Sequence, residues 1–411
     1  MEKIEELFAE RIGGRAFGRS TELYKFEKIK QAKRAARQMH PELELIDLGV
    51  GEPDEMADLT IIEELNRQAR CWENRGYADN GIEEFQEAAV SYMQEVYGVQ
   101  GLNPQTEVLH CIGSKSALSM IPQAFINPGD VTLMTVPGYP ILGTKTEWLG
   151  GEVYPLPLCE ECGYLPQLDE IPVDILRRAK LLYINYPNNP TGSVATRAFF
   201  ESVVQFARKN HILVVQDAAY AALTFGGNEP LSFLSIPGAK EVGIEVHSLS
   251  KAFQMTGWRL GFVAGNEMAI KALAAVKDNN DAGQFRAIQK AGAYALMHPE
   301  LTEKSCARYE RRHQGLSKVL QEVGFQGKTP KATFYEYVKI PKGTKDGQIF
   351  HSAEEFSEYL IQHAMISTVP WDEAGHYIRL SVTFVAKDEA AEEQVLQEVK
   401  RRLSDCKLVF D

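Results

Sequence analysis

Apolar and polar positions alternate in blocks along the chain. Between residues 100 and 290, short apolar runs are separated by longer amphipathic stretches. Nearly continuous apolar runs are typical of strands that are covered on both faces, as in a parallel sheet between two layers of helices. The pattern therefore predicts an α/β domain with a mostly parallel sheet, whose strands are Glu107–Ile112, Val131–Val136, Glu152–Leu156, Leu181–Asn185, Ile212–Gln216, Val242–Ser248 and Gly261–Ala264.

Helical periodicity fills the gaps between these strands. Ser116–Phe125 and Ala198–Lys209 carry apolar residues at helical spacing. Turns rich in proline, glycine and asparagine lie beside these stretches, at Asn127–Asp130 and Pro187–Gly192. After about residue 290 the pattern changes to a long charged helix, scattered strands and a final helix. This change predicts a smaller α+β domain with elements at Pro299–Val323, Thr333–Ile340, Tyr377–Phe384 and Asp388–Leu403.

The chain is expected to divide into three parts. Residues 1–45 are too few to form their own core, so we expect them to pack on the C-terminal unit or on a partner subunit. The basic stretch Lys25–Arg37 within this arm is predicted to be a solvated amphipathic helix. Residues 46–290 form the large domain of the prediction, and residues 291–411 form the small one.

Composition narrows the class of protein. The 411 residues are 44% apolar and carry a formal net charge of −12. An acidic chain is a poor partner for nucleic acid, which requires a basic face. The N-terminus is charged, and no stretch approaches the eighteen or so apolar residues that span a membrane. The sequence predicts a cytoplasmic protein with neither a nucleic-acid nor a membrane partner.

The six cysteines do not indicate a disulfide framework or a zinc site. Only Cys159 and Cys162 have C-x-x-C spacing, and they lie in a turn without the second pair that a zinc ribbon needs. We interpret this spacing as incidental. The nine histidines show no metal-ligand spacing, so no metal is predicted.

A lysine with phosphate-binding neighbours follows one of the predicted strands. Lys251 ends the string Ser248-Leu249-Ser250-Lys251, and Arg259 follows it in Gly257-Trp258-Arg259. A buried lysine forms imines readily because burial lowers the pKa of its amine. An arginine binds phosphate through two parallel hydrogen bonds. Alone, Lys251 would be interpreted as a surface lysine in a loop.

Other predicted strand ends and turns carry side chains that could lie in the same pocket as Lys251. Asp217 ends an apolar run and Tyr220 follows it, at the edge where open α/β sheets bind ligands. A carboxylate there would keep a pyridine nitrogen protonated, although a structural role for Asp217 is equally compatible with the sequence. Asn189 lies in a proline-fixed turn, and Tyr139 in another turn could stack on a planar ring or belong to the core. The turn Gly113–Ser116, with Ser114 and Lys115, opens a helix towards a phosphate.

Together and in this order, these motifs resemble the class I and II aminotransferases of fold-type I over about residues 40–385. The resemblance implies pyridoxal 5′-phosphate (PLP) as cofactor, amino-acid and 2-oxo-acid substrates, and a homodimer. It implies that Lys251 carries PLP as a Schiff base and that Asp217 pairs with the pyridine nitrogen. The other cofactor contacts that it implies are Asn189 and Tyr220 at O3′, Tyr139 on the ring, Ser114, Lys115, Ser248 and Arg259 at the phosphate, and Tyr77 from the neighbouring subunit.

The same resemblance assigns the substrate side. Arg379 matches the arginine that binds the substrate α-carboxylate, and Gly51 matches a glycine turn that lines the pocket. Without it, Arg379 is equally well interpreted as a strand residue in a salt bridge.

Four segments near the N-terminus are similar to the LL-diaminopimelate aminotransferases: Arg11–Gly14, Phe17–Gly18, Tyr24–Ile29 and Ile46–Asp54. This similarity implies transamination between LL-2,6-diaminopimelate and 2-oxoglutarate in lysine biosynthesis. Alternatives are an aminotransferase for aspartate, alanine or aromatic amino acids, a PLP lyase, and a PLP-binding regulator, for which the chain has no spare DNA-binding extension. Candidates for binding the distal end of the substrate are Tyr24, Asp79, Asn80 and Lys115.

Overall fold

The computed structural model describes residues 4–18 and 25–410. In chain order its strands are β1 Ile46–Asp47, β2 Val108–Cys111, β3 Val131–Val136, β4 Glu152–Pro157, β5 Ala179–Asn185, β6 Leu213–Asp217, β7 Gly243–Ser248, β8 Gly261–Gly265, β9 Tyr335–Lys339, β10 Gly343–Thr344, β11 Ile366–Ser367, β12 Val369–Trp371, β13 Tyr377–Ser381 and β14 Leu408–Val409. Its α-helices are α1 Lys25–Met39, α2 Leu59–Ala69, α3 Glu83–Tyr97, α4 Ser114–Phe125, α5 Ile141–Trp148, α6 Val173–Arg178, α7 Arg197–Asn210, α8 Ala239–Val242, α9 Leu249–Ala252, α10 Glu267–Lys277, α11 Arg286–Leu296, α12 Glu303–Val323, α13 Ala353–Tyr359 and α14 Glu389–Asp405.

A seven-stranded sheet forms the centre of the large part of the molecule. Its strand order is β2-β8-β7-β6-β5-β3-β4. The strands from β7 to β4 are parallel to their neighbours, and β8 is antiparallel to both β7 and β2. The predicted mostly parallel sheet is therefore confirmed, and each predicted strand end lies within two residues of an observed one.

Helices cover both faces of this sheet, as the continuous apolar strands require. On one face Phe85 of α3 and Phe200 of α7 belong to the same buried cluster as Phe262 of β8. On the other face Leu118 of α4 and Leu273 of α10 pack in a second buried cluster. Because both faces are covered by apolar contacts, ligands have access only at the edges of the strands.

The carboxyl ends of the central strands lie side by side. Asn185 of β5 is in register with Asp217 of β6, and Asp217 is in register with Val246, two residues before the end of β7. Parallel strands bring their carboxyl ends to one edge, which collects the side chains that the sequence separates by about thirty residues.

A three-stranded antiparallel sheet, in the order β12-β13-β9, faces that edge. It shares a buried cluster with residues of α12, α13 and α14. The expected helix Pro299–Val323 is divided into a 3-10 turn at Pro299–Thr302 followed by α12. Both expected strands are present but shorter, as β9 and β13.

Helix α1 of the N-terminal arm packs on this smaller unit. Ile29 and Ala36 of α1 lie in one buried cluster with Ile361 and Trp371, so α1 is amphipathic and only one of its faces is solvated. Strand β1 pairs in parallel with β11, and Lys28 forms an ion pair with Glu354 of α13. Among residues 4–18 and 25–410, no helix has the length and apolar character needed to cross a bilayer.

Candidate active site

A cavity of about 530 Å³ lies between the carboxyl edge of the large sheet and the small sheet. Eleven of the residues predicted from sequence line it. They come from seven separate parts of the chain, which explains why sequence spacing alone does not reveal them as one site. These residues are Gly51, Ser114, Lys115, Tyr139, Asn189, Asp217, Tyr220, Ser248, Lys251, Arg259 and Arg379.

Asp217 is buried at the end of β6, where it is 4% exposed. Its carboxylate accepts hydrogen bonds from the Tyr183 hydroxyl at 3.1 Å and from the Ala219 N–H at 3.2 Å. Burial raises the pKa of Asp217 to about 6, and these two donors oppose that rise. A carboxylate buried at this cost is stabilised by a cation placed beside it.

Lys251 projects into the cavity from the short helix α9. Its Nζ donates to the Gly51 carbonyl at 2.7 Å. Burial lowers the pKa of Lys251 to about 8, and Arg259 and Arg379 contribute in the same direction, whereas Glu52 opposes it. An amine with this pKa is partly neutral near pH 7, which is the form that acts as a nucleophile or a base.

One corner of the cavity is suited to an anion. Helix α4 begins at Ser114, two residues earlier than expected, and its first two residues line this corner, where the first N–H groups of a helix lack partners within the helix. Gly113 precedes it with φ +72°, and a side chain there would clash with the Arg259 guanidinium. Arg259 is itself left-handed, with φ +56°, and donates to the Thr256 carbonyl at 2.8 Å and to the Ser250 hydroxyl at 3.3 Å.

The opposite wall carries Arg379, in the middle of β13. Its guanidinium donates to Asn189 Oδ1 at 2.9 Å and to the Gly49 carbonyl at 3.2 Å. Its Nε is buried and has no hydrogen-bond partner among the described residues. Arg379 is thus held by neutral acceptors only, so its charge is available to an anion that enters the cavity.

Tyr335 was not identified from the sequence. It lies fully buried in β9, its ring lies 4.0 Å below the Arg379 guanidinium, and its hydroxyl is 3.0 Å from that of Tyr220. Alternation in β9 identifies Tyr335 only as an inward-facing residue. The register of β9 with β13, which decides that it contacts Arg379, is a tertiary property without a local signal.

Trp371 and Glu373 also line the cavity without having been predicted. Trp371 ends β12 and Glu373 follows two residues later, in a segment whose sequence has no marked motif. Only the pairing of β12 with β13 brings them to the cavity.

Three predicted residues lie away from this cavity. Tyr77 is 78% exposed, and Asp79 and Asn80 follow it on the same outward-facing loop. The structure does not bring them to Lys251 of their own chain. Tyr24 falls outside the described residues.

Within the described part of the chain no group of three or more His, Cys, Asp or Glu side chains is arranged to hold a metal ion. All six cysteines are free thiols, including Cys159 and Cys162 in a turn after β4.

Comparison with known proteins identifies the family. Residues 44–398 match the aminotransferase class I and II family. The chain belongs to this family. It is 59% identical to the LL-diaminopimelate aminotransferase of Methanocaldococcus jannaschii and 55% identical to that of Methanococcus maripaludis, with 99% of each chain covered in both comparisons.

Solved structures show the same fold. Substrate-bound BacF from Bacillus subtilis is 32% identical, with a TM-score of 0.88 and 99% of each chain covered. A single mutant of aspartate aminotransferase from Thermus thermophilus is 25% identical, with a TM-score of 0.85, 97% of this chain and 99% of that chain covered. The expected fold-type I architecture and aminotransferase class are therefore confirmed, and members of this family are generally PLP-dependent.

Proposed function

We propose that the chain catalyses PLP-dependent transamination between LL-2,6-diaminopimelate and 2-oxoglutarate. The chemistry is supported by a single cavity that holds a lysine of lowered pKa, a buried carboxylate and an arginine bound only to neutral acceptors. The substrate is supported by 59% identity, along almost the whole chain, to a protein that carries the name LL-diaminopimelate aminotransferase.

The residues of the cavity fit PLP at both of its polar ends. The α4 N-terminus, the Gly113 turn and the Arg259 guanidinium form a corner with the donors that a phosphate dianion requires, and Ser114, Lys115 and Ser248 line it. At the other end, buried Asp217 has no cationic hydrogen-bond donor of its own in this chain's described residues. A protonated pyridine nitrogen would provide that cation.

Bound there, the cofactor would accept the electron pair that is left when the substrate α-carbon loses its proton. Asp217 would keep the pyridine nitrogen protonated. Lys251 would anchor the cofactor covalently and, once displaced by the substrate amine, accept the proton from the α-carbon. The lowered pKa of Lys251 suits this role because a base works best when its pKa is near the working pH.

Arg379 would select amino acids by binding their α-carboxylate. In the structure its guanidinium bonds to Asn189 Oδ1 and the Gly49 carbonyl, and a carboxylate would give it stronger, charge-assisted bonds. Tyr335 supports the guanidinium from below. Asn189 and Tyr220 would contact the cofactor's 3′ oxygen, and Tyr139, half-buried in the cavity wall, would lie against its ring.

We further propose a homodimer in which Tyr77 reaches the phosphate site of the neighbouring subunit. Tyr77 makes no contribution to its own cavity and exposes most of its side chain, as a residue that acts on another subunit should. Asp79 and Asn80 share its loop, and with Lys115 and Tyr24 they are the proposed partners of the distal ammonium and carboxylate of the substrate.

The substrate is tested with a panel of amino donors, each with 2-oxoglutarate: LL-diaminopimelate, meso-diaminopimelate, aspartate, alanine, lysine and tyrosine. A site with partners for both ends of a long diamino diacid should reject shorter substrates, which leave those partners unpaired. We expect kcat/KM for LL-diaminopimelate to exceed the others by at least about tenfold, or about 1.4 kcal/mol in the transition state.

The alternative is a general aminotransferase, and the likeness to the Thermus aspartate aminotransferase mutant favours it most directly. Equal or higher kcat/KM with aspartate, alanine or tyrosine would establish that alternative and reject the LL-diaminopimelate assignment. The roles of Lys251, Asp217 and Arg379 are common to both.

A further inference from the structure

Lys277, at the end of α10, has a completely buried side chain outside the cavity. A buried ammonium loses its hydration, so it is retained where specific partners replace that hydration. The Nζ of Lys277 donates to the Asp79 carbonyl at 2.6 Å and to Asp281 Oδ1 at 2.5 Å. Its partners therefore include the backbone of the loop that carries Tyr77.

The loop from Tyr77 to Gly81, the Tyr77 loop, is held by the 277–286 segment at several points. Arg286 donates from Nε and from a terminal nitrogen to the Tyr77 carbonyl, at 2.9 and 2.6 Å. Asp278 accepts a hydrogen bond from the Asn80 side chain at 2.8 Å. Gly283 lies so close to Asp79 that an added Cβ would come within 2.6 Å of its backbone nitrogen.

The remaining carbonyls of the loop are satisfied locally. The Ala78 carbonyl accepts from the Gly81 N–H at 2.6 Å, and the Asn80 carbonyl accepts from the His110 N–H at 3.2 Å. The carbonyls of residues 77–80 are thus all hydrogen-bonded, although the loop contains a left-handed aspartate, Asp79, with φ 29°. The backbone is fixed while the Tyr77 side chain points away from the chain's own cavity.

We propose that Lys277 and Arg286 are positioning residues that set Tyr77 for the cavity of the neighbouring subunit. This inference rests on the proposed shared site of the homodimer. Arg286 binds the Tyr77 carbonyl and Lys277 binds the Asp79 carbonyl, one on each side of Ala78. Together they fix the direction in which the Tyr77 side chain leaves the loop. A hydrophobic side chain would fill the space of Lys277 but would leave the Asp79 carbonyl without its donor.

The test uses mixed dimers, isolated with two different affinity tags. One subunit carries Lys277→Met and the other carries Lys251→Ala. Only the Lys277→Met subunit has an intact Lys251. If Lys277 acts on the neighbour, the cavity of that subunit receives Tyr77 from the Lys251→Ala subunit, whose Lys277 is intact. The mixed dimer should then recover about half of the wild-type activity, since one of two sites is complete.

In the Lys277→Met homodimer both sites receive a displaced Tyr77. We expect its PLP dissociation constant to rise by about tenfold or more, measured by cofactor release, because small displacements of a positioned group cost this much or more. Wild-type PLP affinity in this homodimer, or a mixed dimer as inactive as the Lys251→Ala parent, would overturn the proposal.

Two further variants keep the result interpretable. Arg286 is only half-buried, so Arg286→Gln should disturb folding less than Lys277→Met. The same recovery of activity in a mixed dimer is expected for Arg286→Gln even if Lys277→Met does not fold. Lys240→Met is the matched control, since Lys240 also joins one carbonyl, that of Gly101, and one carboxylate, that of Glu107, far from the Tyr77 loop. The control should retain wild-type PLP affinity, and a loss equal to that of Lys277→Met would reject the specific role.

A mixed dimer of one Tyr77→Ala subunit and one Lys251→Ala subunit tests the shared site of the homodimer alone. Recovery in that mixed dimer shows that Tyr77 acts on the neighbour, and the outcome for Lys277 is then decided separately. If that mixed dimer recovers no activity, the proposed shared site is rejected, and with it the positioning role of Lys277 and Arg286. The chemistry proposed for Lys251 would be unaffected.

Discussion

The two walls of the cavity are built in different ways. On the large-sheet wall, Asp217 and Arg259 are held by hydrogen bonds within their own domain, from Tyr183 and Ala219 and to Thr256 and Ser250. On the small-sheet wall, Arg379 reaches across the cavity to the Asn189 side chain, and it also donates to the carbonyl of Gly49 on its own side.

This difference matches the proposed division of labour. Contacts within one domain stay in place when the cavity opens, which suits a wall that retains a cofactor through many turnovers. Contacts across the cavity are replaced by an entering carboxylate, which suits a wall that exchanges two substrates in each cycle. Variants of the large-sheet wall should therefore mainly affect binding of the cofactor, and variants of the small-sheet wall should mainly affect use of the substrate.

The largest effect is expected for Lys251→Ala. It removes both the covalent attachment of PLP and the base that accepts the α-proton, so kcat should fall by at least about a thousandfold. Borohydride reduction followed by mass spectrometry should find PLP attached to the wild-type chain at Lys251 and no such product in the variant. Transamination at the wild-type rate would refute the central assignment.

The next largest effect is expected for Asp217→Asn. Its kcat should fall by about a hundredfold or more, because the ring nitrogen of PLP loses the charge that keeps it protonated. The absorption spectrum of bound PLP reports the protonation of the ring independently of activity. Tyr183→Phe, which removes one neutral donor to Asp217, serves as the milder comparison. Near-normal kcat with PLP bound would reduce Asp217 to a structural residue.

Arg379→Ala tests the other wall. We expect kcat/KM to fall by about a hundredfold for every amino acid, since each loses the bidentate partner of its carboxylate. The dissociation constant of PLP, measured at a pH where Lys251 is neutral in both proteins, should not change. Arg379→Lys keeps the charge but not the paired hydrogen bonds, so it should recover only part of the loss. Weakened PLP binding in either variant would show that the walls are not separate.

The smallest effect is a shift in pH dependence. In cofactor-free protein, the rate at which Lys251 captures PLP should rise with pH and level off above about 8, because only the neutral amine attacks and its pKa is lowered to about 8. Asp217 raises this pKa and Arg379 lowers it. The plateau should therefore begin at lower pH in Asp217→Asn and at higher pH in Arg379→Ala, and a shift in the same direction for both would contradict the opposed effects of the two walls.

The sequence predicted the large sheet well for a physical reason. Strands such as β3 and β5 are buried on both faces, so their apolar runs are unambiguous and their ends fall at turns. The smaller unit was predicted less sharply, because its elements combine short strands with turns. Strand β13, expected to extend to Phe384, ends at Ser381 because the chain bends at Val382, although the Val382 N–H still donates to the carbonyl of Phe334.

The site residues also differ in how well the sequence predicts them. Lys251, Asp217 and Arg259 lie at strand ends within motifs, where position along the chain implies position at the sheet edge. Tyr335 and Trp371 become part of the cavity only through the pairing of β9, β12 and β13, which no local pattern specifies. The placement of Tyr77 depends on a second subunit and stays a prediction.

The packing of α1 has a consequence for engineering the protein. Lys33 of α1 forms an ion pair with Asp47 of β1, and β1 pairs with β11, so residues 25–47 are an integral layer of the C-terminal unit. Shortening the chain from its amino end past residue 25 would expose Ile361 and Trp371 and promote aggregation.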